Sequence, residues 1–436
     1  MYFSLVTIVS LLLLFSFLVI LVSKIKKQIK LPPGPWRLPF IGSLHHLIGI
    51  GLLHRTLRNL AQRYVIISSP TIAKELLTTH NLAFSDRPQS MSTNIIFYNN
   101  KDIMVKSFGA IRKDEISSLV SSIHSTKGSP INMTEKIFWF TNSVTCSVAF
   151  GKMFKNRDEF IKLLKDIVIL VSGFDVADLF PFWKLLHKLS GVESRLMNVH
   201  RKVDEIMEDI LKEHLESKAT RNKGIGEFGG EDLFDVLLRV TEDAKLECPI
   251  TNDHIKVVIL DIFVAGSKPS VAITIWVLSE MMKNPIIMAK VRKYYDDEEN
   301  LEKLTYLNLV IKETLREQTD IDGCTIPLKT KIFVNAWALA RDPKSWHDPE
   351  SFIPKRFENS SIDFMGNHFE FIPFGSGRRI CVGILFGLCN VKPPLAQLLY
   401  HFEWELPYGM NPKELDMAET HGLSGAKQKD LYLVAR

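Results

Sequence analysis

The chain of 436 residues has few cysteines, and none form a spaced framework. Cys146, Cys248, Cys324, Cys381 and Cys389 are odd in number and scattered, which argues against a secreted disulfide scaffold and for a reducing compartment. Charge of one sign is also scarce. The 54 basic and 49 acidic residues leave a formal +5, and the basic residues are not interleaved with aromatics as a nucleic-acid groove requires, so no nucleic-acid partner is expected. Internal repeats are absent, and Pro/Gly-rich interruptions are few beyond the first forty or so residues. With 46% hydrophobic and 24% charged residues, the chain can bury one large core or two ordinary ones and nothing suggests disorder; the lack of interruptions and repeats makes a single domain the expected reading. His45, His46 and the other histidines lack metal-ligand spacing. Gly224-Ile225-Gly226-Glu227-Phe228-Gly229 fits a dinucleotide-loop pattern, but a charged segment precedes it where a strand is needed. A loop is the expected reading.

One absence is local. Met1 to Ser23 carries no charge and is mostly Leu, Val, Ile and Phe, enough helix at about 1.5 Å per residue to cross a hydrocarbon core of about 30 Å. No basic region precedes it and no small-residue cleavage site succeeds it, so it reads as a retained anchor rather than a signal peptide. Lys24, Lys26, Lys27 and Lys30 come next and by the positive-inside rule hold the C-terminal side in the cytosol. Leu31-Pro32-Pro33-Gly34-Pro35-Trp36 then forbids helix and stiffens the chain. The expected organisation is an anchor over 1–23, a basic and proline-rich linker over 24–42, and a cytosolic domain over 43–436.

Within that domain the apolar spacing is helical over Asp158–Val171, Glu193–Lys218, Glu231–Thr241, Thr251–Lys283 and Thr305–Glu317. Short β runs fall at Val65–Ser68 and Lys331–Ala336, the second after the turn Asp320-Ile321-Asp322-Gly323. The fold class is mainly α with a small β portion.

What is present in concentrated form is Phe371 to Gly383, FIPFGSGRRICVG, leading into the apolar helical run Ile384–Tyr400. Glycines allow close approach of a flat ligand and positive φ, and a thiolate at a helix N-terminus is favoured by the macrodipole. Arg378 and Arg379 place cations where carboxylates could be clamped. A buried structural cysteine in a basic turn is the plainer alternative.

Phe374, Gly377, Arg379, Cys381 and Gly383 resemble the F-x-x-G-x-R-x-C-x-G loop of the cytochrome P-450 family, in which the cysteine is the haem iron's axial ligand. Glu313-Thr314-Leu315-Arg316 resembles that family's E-x-x-R, and Phe352 to Phe357 its F-x-P-x-R-F. The resemblance implies that Glu313, Arg316 and Arg356 form a buried structural network; as an isolated helical i, i+3 pair, Glu313 and Arg316 would be worth only about 0.2–0.5 kcal/mol. It also implies haem b, electrons from an NADPH reductase, the endoplasmic reticulum membrane and a monomer. The plant microsomal branch that oxidises sesquiterpenes and related terpenoids is the most similar. A monooxygenase inserting one atom of O2 into a small apolar substrate is implied.

The distal segment departs from the family. Where relatives carry A-G-x-[D/E]-T, this chain has Ala265-Gly266-Ser267-Lys268-Pro269. Ala265, Gly266 and Ser267 are the implied distal oxygen groove, but lysine replaces the acid and proline the threonine, and a proline inside a helix costs about 3 kcal/mol unless a kink exists. Ser267 or Ser270 could substitute through water. Segments also drop out after Tyr64, after Ile103 and after Arg316, while Phe84-Ser85-Asp86-Arg87-Pro88 and Asn335 to Leu339 stay family-like. The W-x-x-x-R spacing of Trp337 and Arg341 lies in the wrong place and reads as coincidence. That pattern points to lost coding segments. Two alternatives therefore stay open: an O2-independent haem-thiolate isomerase or dehydratase, which tolerates Lys268 and Pro269, and an impaired or haem-free member of the family.

Overall fold

The computed structural model describes residues 64–67, 69–79, 109–150, 156–172, 191–220, 232–241, 251–293, 305–316, 331–377, 380–381, 383–420 and 425–436. The anchor and linker, the His45-His46 pair, the loop around Gly224, the turn at Asp320, Cys248, Cys324, Arg378 and Arg379 lie outside the described residues.

In chain order the elements are β1 (Tyr64–Ile67), α1 (Pro70–Lys74, running into a π turn at Glu75–Thr79), α2 (Gly109–His124), β2 (Pro130–Asn132), α3 (Met133–Phe150), α4 (Arg157–Ser172), α5 (Val192–Thr220), α6 (Leu233–Thr241), α7 (Asn252–Lys283), α8 (Pro285–Lys293), α9 (Thr305–Leu315), β3 (Lys331–Val334), α10 (Ala336–Leu339), α11 (Ile384–His401), β4 (Trp404–Glu405) and β5 (Tyr432–Ala435). Among the described residues the architecture is mainly helical with two small sheets. β1 pairs with β3 in parallel, from Tyr64 opposite Lys331 to Ile67 opposite Val334. β5 is the centre of an antiparallel sheet, flanked by β2 and β4.

The helical spacings hold to within a few residues: α4, α5, α7 and α11 differ from the expected spans by at most two positions at either end. α9 stops at Leu315, short of Glu317, and α6 opens at Leu233 because Asp232 caps it, its carboxylate accepting the Asp235 amide at 2.8 Å. α3 escaped the periodic reading for a physical cause. Its residues are buried on nearly every side, so no polar face marks the turn, and its Thr141, Asn142, Ser143 and Thr145 side chains all donate to carbonyls four residues back, each at 2.8 Å.

α7 organises the rest. Among the described residues it is the one helix long and apolar enough to cross a membrane, but most of that stretch is buried inside the protein, as in a core helix. Its first half, Ile255 to Phe263, packs in one hydrophobic cluster with α4, α5 and α6. Its second half, Val271 to Met282, packs in another with α2, α8, α9, α11 and β5, and α3 contributes to both. Each fully buried aliphatic or aromatic side chain contributes about 1.5–3 kcal/mol, so this helix carries a large share of both cores. Lys256 ties α7 to α5 through Asp204 at 2.8 Å and Glu208 at 2.6 Å. His214 Nε2 lies 3.1 Å from Asp232, joining α5 to the cap of α6.

Between the two clusters lies Ala265 to Pro269, in neither of them. Ala265 and Pro269 are exposed in the middle of a 32-residue core helix. One turn apart on one face, they leave the seam open on that side.

Candidate functional site

The cysteine loop is built by glycine geometry. Gly375 and Gly377 adopt φ of 74° and 65°, in the left-handed region where other residues are strained. A Cβ on Gly377 would also run into the Leu77 carbonyl of the π turn after α1, so that position requires glycine on two independent grounds. The Gly375 amide donates to Ile372 O at 3.0 Å, the Cys381 amide to Phe374 O at 2.8 Å and the Ser376 hydroxyl to Gly366 O at 2.5 Å. Phe374 packs edge-on against Phe364, centroids 5.7 Å apart. Gly383 caps α11 and its carbonyl accepts the Gly387 amide at 2.8 Å. Cys381 is exposed, just ahead of that helix, whereas Cys146 is buried in α3, where loss of solvent pushes its thiol up to about 12. Of the three thiols described, Cys381 is the exposed one, Cys389 being half-buried and Cys146 buried.

The start of α11 meets the seam of α7. A Cβ on Gly266 would lie 3.1 Å from the Phe386 ring, and one on Gly387 would lie 3.8 Å from Ser270 Oγ. Gly266 and Ser270 of α7 thus face the first turn of α11, which follows the cysteine loop. Ser267 does not. It is buried, and its hydroxyl donates to Asn142 Oδ1 on α3 at 3.0 Å, so of the two serines considered for distal proton transfer it is the one engaged in helix packing. Ser270 sits on the α11 side, but its hydroxyl donates to the Gly266 carbonyl at 2.8 Å. Lys268 is half-buried, and burial holds its ammonium pKa below the ordinary value.

Glu313 is fully buried and receives three hydrogen bonds: Arg316 Nε at 3.0 Å, Arg356 Nε at 3.0 Å and the Ile353 amide at 2.9 Å. Arg316, 1% exposed, also donates to the Ala340 and Pro349 carbonyls. Arg356 donates to His347, Asp348 and Ser351 carbonyls at 2.7, 3.1 and 2.9 Å. Both guanidinium groups lie over the Trp346 ring, at 5.5 and 5.9 Å. Burial pulls the Arg316 pKa down and the Glu313 charge opposes that. A carboxylate so placed stitches α9 to the irregular segment before the cysteine loop. Trp337 and Arg341 stack on each other at 4.6 Å, a local packing pair at the head of that segment.

Sequence reasoning missed two further features of α11. Pro393 and Pro394 lie inside it and withdraw the amides that would bond the Cys389 and Asn390 carbonyls. The side-chain oxygen and nitrogen of buried Asn390 have no hydrogen-bond partner among the described residues. With Pro269 in α7, both helices that meet at the site carry interior proline.

Residues 97–433 match the model of the family described as cytochrome P-450. The chain belongs to the cytochrome P-450 family. It is 48% identical to cytochrome P-450 71D7 of Solanum chacoense, covering 98% of this chain and 99% of that one. It is 46% identical to premnaspirodiene oxygenase of Hyoscyamus muticus and 45% identical to 5-epiaristolochene 1,3-dihydroxylase of Nicotiana tabacum, each over 98% of both chains. Among solved structures, a zebra fish cytochrome P-450 with progesterone superposes with a TM-score of 0.69 at 20% identity, over 85% of this chain and 93% of that one. The mainly helical fold of the family with its small sheets is thereby shown, as is membership of the branch of P-450 monooxygenases that includes plant terpenoid oxidases. An alignment of 496 positions cannot be filled by a chain of 436; sixty or more positions belong to the relative alone, in keeping with internal segments missing here.

Proposed function

We propose that this P-450 chain holds haem b through Cys381 and inserts one oxygen atom from O2 into a small apolar, terpenoid-like substrate, with electrons from an NADPH reductase. The observation that carries this reading is the pairing of an exposed thiol on a glycine-built loop with an uncovered face in the middle of the core helix α7. The fit to haem is good on the sulfur side, where Phe374, Gly377 and Gly383 shape the loop around Cys381. It is thinner for the two carboxylates of the group: of the anchors usual in the family only Arg379 is retained, with Arg378 beside it as a second cation. Haem-thiolate iron, when bound, supplies the oxygen and electron-transfer chemistry. The chain's own part is to present the sulfur, exclude water by the apolar rings of Phe374 and Phe386, and leave space at Ala265 and Gly266 for oxygen and substrate. Glu313, Arg316 and Arg356 take a structural role beneath the loop. With an anchor over 1–23, a linker over 24–42 and the domain over 43–436, this chemistry lies on the cytosolic side of the endoplasmic reticulum membrane, in a monomer.

A second reading has its own observations. The sixty or more missing positions, the interior prolines of α7 and α11 and the Lys268-Pro269 pair favour an impaired member, either haem-free or restricted to O2-independent isomerase or dehydratase chemistry. The reduced carbon monoxide difference spectrum of membranes bearing the chain separates these. A long-wavelength thiolate band, lost in Cys381→Ser, supports haem ligation. No haem signal with the protein present by immunoblot supports loss. A thiolate band together with turnover of a peroxide substrate without NADPH or O2 selects the isomerase or dehydratase.

A further inference from the structure

At the C-terminal end of α7, a cavity of about 1020 Å³ opens between α7, α8, the sheet of β2, β5 and β4, and the turn that follows β4. Met281 lies about 16 Å along α7 from Ser270, so this space is separate from the candidate haem site. Buried Met281, Met282 and Trp404 line its depth, half-buried Met288 its wall, and exposed Tyr408 and Met410 its mouth. The turn at the mouth is strained. The Met410 amide donates to the Pro407 carbonyl at 3.1 Å, and the two residues between them, Tyr408 and Gly409, have φ of 56° and 68°. Two successive positive φ values suit Asn or Gly at the first position, where a bulky side chain is an outlier. Tyr408 gains nothing from the fold in return, because it is 93% exposed. A conformation that is unfavourable and also leaves a large ring in water fits a ring kept for a ligand. We infer that this cavity binds a flat, uncharged aromatic molecule of two or more fused rings, on which the Tyr408 ring stacks. Trp404 donates its indole N–H to the Leu398 carbonyl at 2.9 Å, so it offers ring surface alone, and four polarizable thioethers favour aromatic edges over saturated chains. The charged groups at the rim are already paired, Arg292 with Glu403 at 3.2 Å and Arg436 with Glu405 at 3.0 Å, so nothing there calls for an ion. The volume stands at the upper end of small-molecule sites, about 300–1,000 Å³, and leaves room for several rings. The inference rests on neither haem nor Cys381.

The test is calorimetric titration of 2-naphthol into the full chain in lipid nanodiscs, with the signal of empty nanodiscs subtracted and decahydro-2-naphthol as the saturated counterpart. The aromatic alcohol should bind about tenfold more tightly than the saturated one. Tyr408→Asn suits the turn but removes the ring, so it should weaken 2-naphthol about fivefold while holding or raising the melting temperature. Tyr408→Phe keeps the ring and should bind as the parent does. Met288→Leu keeps the apolar volume without the sulfur and should weaken binding about threefold. Equal affinity for the two alcohols, or equal binding of 2-naphthol to parent and Tyr408→Asn, overturns the proposal. So does a Tyr408→Asn variant that loses melting temperature along with binding, because the tyrosine would then be holding the turn rather than a ligand.

Discussion

Replacing Glu313 by glutamine tests whether its two arginines depend on one charge. The change keeps the shape of the side chain but leaves Arg316, 1% exposed, and the largely buried Arg356 facing a neutral amide. Of three hydrogen bonds, one glutamine oxygen can keep those to Arg356 and Ile353, and the amide nitrogen then opposes Arg316 Nε. Removing one partner of a buried ion pair costs about 3–5 kcal/mol, against about 0.2–0.5 kcal/mol if the pair behaved as an exposed helical one. Total domain stability is about 5–15 kcal/mol, so E313Q should lower the urea midpoint severely. Arg316→Met in the E313Q background should restore part of the loss, because it removes the stranded charge; the cycle measures that coupling. A loss under about 1 kcal/mol, or strictly additive single changes, would refute the view that a buried charge network holds α9 to the loop.

Ser267→Ala should cost about 1–3 kcal/mol by leaving Asn142 Oδ1 without its buried donor, with the carbon monoxide spectrum unchanged; a normal melting temperature with an altered spectrum would return Ser267 to the distal groove. Gly377→Ala sets a side chain on a left-handed residue and against the Leu77 carbonyl, so it should cost more than the roughly 1–2 kcal/mol of the conformation alone and reduce haem content; a variant melting and loading like the parent would show that the turn after α1 yields. For His214, burial disfavours the imidazolium, but the hydrogen bond and charge of Asp232 outweigh it and raise the pKa. Its contribution is therefore full below the unfolded value of about 6.5 and lost as pH rises through the folded one. The melting temperature should fall over that window more in the parent than in His214→Gln, and parallel profiles would exclude the link.

Legibility in the sequence depended on how each feature is encoded. The cysteine loop and the Glu313, Arg316 and Arg356 set are carried by residue types at fixed spacing, α4 and α5 by a polar face that alternates with an apolar one, and α7 and α11 by long, largely apolar runs. α3 has no such face, because it is buried nearly all round. The strands β2, β4 and β5 are two to four residues long and exist through pairing at a distance, β2 with β5 from Asn132 opposite Tyr432 to Pro130 opposite Val434 and β4 with β5 from Trp404 opposite Ala435, which no local window contains. Lys268 was legible as a departure from the family, but not the cavity it lines with Phe138 and Asn142 of α3, which tertiary folding alone creates. Pro393 and Pro394 were visible in the apolar run, yet their cost depends on α11 continuing unbroken through them, which propensity argues against.

That α7 belongs to two hydrophobic clusters bears on how the molecule comes apart. When separate cores own separate helices, one can melt while the other persists, and proteases find the loosened half. Here neither cluster can dissolve without stripping the shared helix from the other, so amides of Ile255 to Phe263 and of Val271 to Met282 should exchange through a common opening. Damage to the chain then has no local outcome: a lesion near α4 is felt at β5, and what survives in a cell is either the whole domain or none of it.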